Sequence, residues 1–264
     1  VNSLEIGDDC LVLSQRLAEW VTRAPTLEED VALANLSLDL LGQARSLLSR
    51  VGDEDELAYL RGPEEFRNCL LVEQPNGDFA HTVVRHLLYA SFLFEVYGAH
   101  PEDGVAAKGV KEIAYHRDYA ALWTRRLGLG TDESHRRMTA ALDALWPFTG
   151  ELFAQDAQDA RDTQDTRDAQ EAHDARDAQE AQDARDAQEA QDARDAQDAQ
   201  DAQDAGLRES WVEYVGAVLG EAGLVVPEGV EQRYGGRKGV HTEHLGVLLD
   251  EMQALHREHQ GATW

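Results

Sequence analysis

The chain has 264 residues and a net charge of −27, with 42% hydrophobic residues. So acidic a balance excludes a surface built to neutralise nucleic-acid phosphates or to lie on an anionic membrane. No run reaches the about 18 uncharged apolar residues of a membrane span, and the opening VNSLEIGDDC lacks the basic start and apolar stretch of a secretory leader, so a cytoplasmic protein is expected.

The two cysteines, Cys10 and Cys69, sit in apolar-rich segments and suit a reducing compartment better than a disulfide framework. Ile6, Cys10, Leu13, Leu17 and Trp20 share one stripe of an amphipathic helix predicted over 6–22. Ala24-Pro25-Thr26 ends it. Thr26 is placed to cap a second helix reaching about Ser49, with Glu29 completing a capping box. Leu33, Leu36, Leu40, Ala44 and Leu47 line one side of that helix. Leu38 and Leu41 lie further round, so the helix is expected to be buried on two sides.

A connecting region, GDEDELAYLRGPEEFRNCLLVEQPNGD, holds two short helical runs and closes on Pro-Asn-Gly. The third long helix is predicted over 78–98. Phe79, Val83, His86, Ala90, Leu93 and Tyr97 repeat at heptad spacing there, and Leu87, Leu88, Phe92 and Val96 widen the apolar surface. The fourth is predicted from Val105 to Leu127, with Val105, Gly109, Glu112, His116, Tyr119, Trp123 and Leu127 as its inward stripe. GLGTDES leads to a fifth helix, HRRMTAALDALW, stopped by Pro147. Near the C-terminus, LRESWVEYVGAVLGEAGL and HTEHLGVLLDEMQALHREH read as helices around an irregular VPEGVEQRYGGRKG. No strand-like alternation is convincing, so the class is all-α: four long helices form a bundle with shorter ones around it.

Residues 154–205 stand apart as an insertion in a single helical domain spanning 1–264. From Asp156 to Asp204 every third residue is Asp or Glu, and the segment holds 17 acidic residues against five arginines. A period of three drifts about 60° per step on a 3.6-residue helix, so no apolar face forms. A solvated excursion is expected, either a tolerated expansion or an acidic tether for a basic partner.

Glu112 and His116, four residues apart on the fourth helix, are the leading candidates for chemistry, because a carboxylate and an imidazole on one stripe can bind a metal. A carboxylate-bridged di-iron site needs a carboxylate from each of two helices and Glu-x-x-His from two others. Helix one offers no carboxylate on its stripe. The second has Asp39 on its flank and Gly42 where a histidine is needed; the third has His86 without an acid; the fourth has Tyr115 three residues after Glu112, with His116 one position late. The set is incomplete: Asp39, Glu112 and His116 read as a degenerate site, and a buried Glu–His contact accounts for the last two without metal. No catalytic, cofactor-binding or metal-binding residue is therefore assigned. His86, Leu88, Phe92, His241 and His244 are expected to be buried polar groups or to face a partner. His241 and His244 have metal-compatible spacing but also suit a helix start, and YGGRKG has the glycines and cations to hold an anion without the spacing of a phosphate loop.

The segments GDDCLVLSQRLAEW, EEDVALANLSLDLLGQAR, EFRNCLLVEQPNGDFAHT, GTDESHRRMTAALDALWPFTGELF and GGRKGVHTEHLGVLLDEMQ together resemble one family of bacterial phenylacetyl-CoA epoxidase components, the C-component (PaaC-like) family. That epoxidase is the multicomponent monooxygenase of aerobic phenylacetate degradation. The resemblance covers nearly all of the chain except 154–205. It implies a ferritin-like fold without a working metal site, paired with a catalytic component that holds the di-iron centre and binds phenylacetyl-CoA. A reductase component carrying flavin and an iron–sulfur cluster supplies electrons, and one oxygen atom enters the aromatic ring as an epoxide. The expected function is a non-catalytic structural subunit. The alternatives are a stand-alone ferritin-like metalloenzyme with an atypical site, and an acidic scaffold acting through the repeat.

Overall fold

The protein is represented by a computed structural model that describes residues 1–153 and 204–259. The chain divides into two units, Val1–Leu152 with Ser210–Trp264, and Phe153–Glu209. The repeat lies outside the described residues except for 204 and 205. In the second unit, 204–209 are helical.

Among the described residues every regular element is helical. Helix α1 is Ser3–Ala18 and α2 is Leu27–Leu48. The short α3, Glu54–Tyr59, and α4, Leu70–Glu73, follow. Then come α5, Phe79–Gly98, α6, Gly104–Gly128, and α7, Asp132–Leu145. Helix α8 covers 204–221, and α9 is Glu243–Glu258. Side-chain caps explain most starts: Asn2, Thr26, Asp53, Asp78, Asp103 and Thr131 each accept a hydrogen bond from an early backbone N–H. The Thr131 cap starts α7 three residues before the predicted HRRM. The capping box expected of Glu29 is absent, because its carboxylate accepts from the Tyr119 hydroxyl on α6 instead.

The long helices form a ferritin-like four-helix bundle. Helix α1 packs along α2, and α5 along α6, with α7 against α5 and α6. Trp20, just past the end of α1, stacks edge-on against Phe79 of α5 and donates to Thr82 at 2.8 Å. Helices α2 and α6 run antiparallel, joined by Glu29–Tyr119, Gln43–Glu112 and Arg50–Asp103. The core is leucine-rich, with Leu13, Leu17, Leu33, Leu36, Leu40, Leu47, Leu87 and Leu93 all buried.

The inward stripe of α6 differs from the expected one. Ala106, Gly109, Ile113, His116, Ala120, Ala121 and Thr124 are buried, whereas Glu112, Tyr119 and Trp123 are half-buried flanks. Small residues face the core there because α5 supplies the bulk. A Cβ on Gly109 would stand 2.5 Å from the Tyr97 ring. A hydropathy pattern gives such small side chains little weight.

Candidate functional site

The degenerate-site residues lie along the seam between α2 and α6. His116, fully buried, has Nε2 3.4 Å from the Asp39 carboxylate. Glu112 accepts from Gln43 Nε2 at 3.0 Å, and Lys108 Nζ stands 3.5 Å from its other oxygen. Gln43 in turn accepts from the Tyr97 hydroxyl at 3.1 Å. Glu112 and His116 therefore take separate partners, and the direct contact expected between them does not form. Asp39, Gly42, Gln43, Lys108 and Glu112 line an open cleft of about 320 Å³.

Beneath this seam, His86 on α5 is buried with its ring centroid 5.2 Å from that of His116. Neither of its ring nitrogens has a hydrogen-bond partner. Burial, then the neighbouring His116 and Arg85, hold its pKa well below the usual 6.5, so it is a neutral imidazole. Among the described residues no three His, Cys, Asp or Glu side chains are placed to hold a metal ion together. The donor set does not fit a di-iron centre, which needs two bridging positions and inward carboxylates from all four helices.

Carboxylates do enter the interior, at places the sequence pattern did not reveal. Asp8 and Asp9 on α1 are fully buried. Asp8 takes both guanidinium ends of Arg61, at 2.5 and 3.0 Å, and the Arg67 N–H at 2.8 Å. Asp9 takes Arg237 at 2.7 and 3.0 Å and the Cys69 N–H at 2.6 Å. Burial depresses the Arg237 guanidinium pKa, but Asp9 beside it more than offsets this and holds it above the ordinary value. These pairs have a structural role: they fasten the 61–74 connection and the 235–239 turn to α1. The partner arginines lie far away in sequence, so no local spacing announces them.

The YGGRKG turn holds an anion, but the anion is internal. Glu151 accepts from the Gly235 and Arg237 N–H groups at 2.9 and 3.2 Å, and from Leu70 N–H at 2.8 Å. Gly236 is required by proximity, since a Cβ there would lie 2.2 Å from the Asn68 carbonyl oxygen. A phosphate role for this turn is thus replaced by a packing role.

His241 is a buried polar group whose ring nitrogens face Glu73 Oε2 at 2.7 Å and the Phe66 carbonyl at 3.1 Å. Both partners are acceptors, so the doubly protonated ring, with an N–H on each nitrogen, is the form that satisfies both. His244 is half-buried, and its carbonyl accepts from Arg16 at 3.1 Å. The partner-facing role expected of Leu88 and Phe92 is corrected: they are 0% and 4% exposed. Helix α8 covers that side, with Trp211 Nε1 donating to the Leu88 carbonyl at 2.9 Å. Helix α2 does keep apolar residues uncovered, among them Leu38, which is 64% exposed. No helix among the described residues is long and apolar enough to cross a membrane.

The chain is 41% identical over 274 aligned positions to the C subunit of the 1,2-phenylacetyl-CoA epoxidase of Escherichia coli (strain K12), an alignment spanning 99% of this chain and 97% of that protein. A family model described as phenylacetic acid catabolic protein matches residues 2–264. The chain therefore belongs to the phenylacetic acid catabolic protein family.

Proposed function

We propose that the chain is a non-catalytic structural subunit of a 1,2-phenylacetyl-CoA epoxidase. In this reading it pairs in the cytoplasm with the catalytic subunit, which carries the di-iron centre, while flavin and the iron–sulfur cluster belong to the reductase. The near full-length similarity to the C subunit of such an enzyme supports membership of the complex. The observation that carries the non-catalytic role is the broken ligand set: Glu112 and His116 are engaged by Gln43 and Asp39, and Asp8 and Asp9 by arginines. The contribution to chemistry is indirect, since ligand helices in a partner keep their geometry only when their outer faces are supported.

Iron analysis tests this reading. The purified chain should be iron-free, and its complex with the catalytic subunit should hold about two irons per pair. Stoichiometric iron in the isolated chain would instead favour a stand-alone metalloenzyme, with Asp39, Glu112 and His116 as the first ligands to replace.

A further inference from the structure

Asn76-Gly77, in the connection between α4 and α5, is the only Asn-Gly pair in the sequence. In such a pair the glycine backbone nitrogen can attack the asparagine amide carbon, because no Cβ on the glycine shields it. The fold requires both residues. Gly77 has φ +56°, and a Cβ there would stand 2.9 Å from the His81 ring. Asn76 is required because its amide both donates and accepts. Nδ2 donates to the Arg16 carbonyl at 2.7 Å and to Glu19 Oε2 at 3.0 Å. Oδ1 accepts from Nη2 of the fully buried Arg85 on α5. An ionised aspartate has no donor for the Arg16 carbonyl and would set a second carboxylate against Glu19. The reactive pair is therefore built into the joint between the end of α1 and the start of α5.

We propose that Asn76 is a deamidation site clamped by Arg16, Glu19 and Arg85, and that it converts when the 74–78 turn opens. Gly77 is exposed, so solvent base reaches the attacking nitrogen. That nitrogen bonds to Asn76 Cγ as its proton passes to the base. The Cγ–Nδ2 bond breaks, and Nδ2 leaves as ammonia. Water then opens the cyclic imide at either carbonyl, giving aspartate or isoaspartate. The reaction draws on water alone. Attack moves Cγ onto the Gly77 nitrogen and frees Nδ2, so it proceeds as the bonds to Arg16, Glu19 and Arg85 give way. A local opening of the turn sets its rate. The product has lost the donor that faced Arg16 and Glu19, and isoaspartate also lengthens the backbone by a methylene. Conversion therefore loosens the joint that the asparagine held.

The test is mass spectrometry of the peptide holding residues 76 and 77, after the full-length chain is incubated in mildly alkaline buffer with and without denaturing urea. Asp103-Gly104 can form the same imide, but it gains no mass on hydrolysis and lies in a different peptide. The unfolded chain should convert as fast as a free peptide of that sequence. The folded chain should convert at least about tenfold more slowly, the factor that about 1.4 kcal/mol of opening free energy supplies. Glu19→Ala removes one acceptor of Nδ2 at a half-buried position. It should speed conversion of the folded chain about tenfold, the effect of losing a hydrogen bond to a charged group. Glu19→Gln keeps an oxygen acceptor and should stay close to wild type. Matched melting temperatures check the folding of both variants, and the comparison of folded with unfolded wild type needs neither. A folded wild type that converts as fast as the unfolded chain would overturn the clamp. An unfolded chain that leaves Asn76 intact would overturn the site. A well-folded Glu19→Ala variant that converts no faster than wild type would overturn the proposal as well.

Discussion

Arg237 grips Asp9 with both ends of its guanidinium, Nη2 2.7 Å from Oδ2 and Nη1 3.0 Å from Oδ1, across 228 positions of sequence. The carboxylate is fully buried and the arginine nearly so. Removing one partner leaves the other charged and without its counterion in the interior. Arg237→Met should therefore cost about 3–5 kcal/mol in urea unfolding. Adding Asp9→Asn should recover much of that loss, because the double variant buries no charge. A single variant as stable as wild type would show that the pair does not hold the turn to α1.

Two histidines should give opposite pH slopes. Burial lowers the pKa of His241, but its hydrogen bond to Glu73 more than offsets this and raises it above 6.5. A raised value means that the stabilisation is complete below 6.5 and is lost as pH rises through the folded-state pKa. His86 is held well below 6.5, first by burial. Its contribution is present above 6.5 and is lost on acidification, as the unfolded state takes up the proton that the folded state refuses. His241→Gln should flatten the alkaline loss of stability and His86→Leu the acidic one. Urea midpoints measured on both sides of neutrality read the two slopes separately.

Two helical glycines should respond oppositely to alanine. At Gly109 a Cβ meets the Tyr97 ring at 2.5 Å, and Tyr97 is tethered through its hydroxyl to Gln43. Gly109→Ala should destabilise by about 1–3 kcal/mol, the usual cost of overpacking. At Gly42 nothing lies within 4 Å of the added atom. Gly42→Ala should stabilise by about 1 kcal/mol through helix propensity alone. Thermal melts of the two variants should move in opposite directions.

Local chemistry made the bundle legible in the sequence. Thr26 caps α2 as expected, and the apolar repeat placed α5 within a residue of its observed span. Gly42 and the late His116, which break the Glu-x-x-His spacing, are visible in the sequence itself. What stayed hidden depends on distant partners. Asp8 and Asp9 look like solvent-facing acids until Arg61 and Arg237 arrive from elsewhere in the chain. Leu88 and Leu38 both looked like surplus apolar surface. Only the packing of α8 shows that the first is covered while the second remains open.

The acidic repeat provides the last test, because it separates a structural subunit from an acidic scaffold. Residues 154–203 contain no hydrophobic residue type except alanine, and 16 acidic residues stand against five arginines. Replacing the repeat with a Gly/Ser linker of equal length preserves the chain's connectivity without assuming any path for the segment. The melting temperature and the affinity for the catalytic subunit should both match wild type, while elution from an anion exchanger should shift to lower salt as the charge falls. Loss of pairing with the melting temperature intact would locate recognition in the repeat and favour the scaffold reading over the structural-subunit reading.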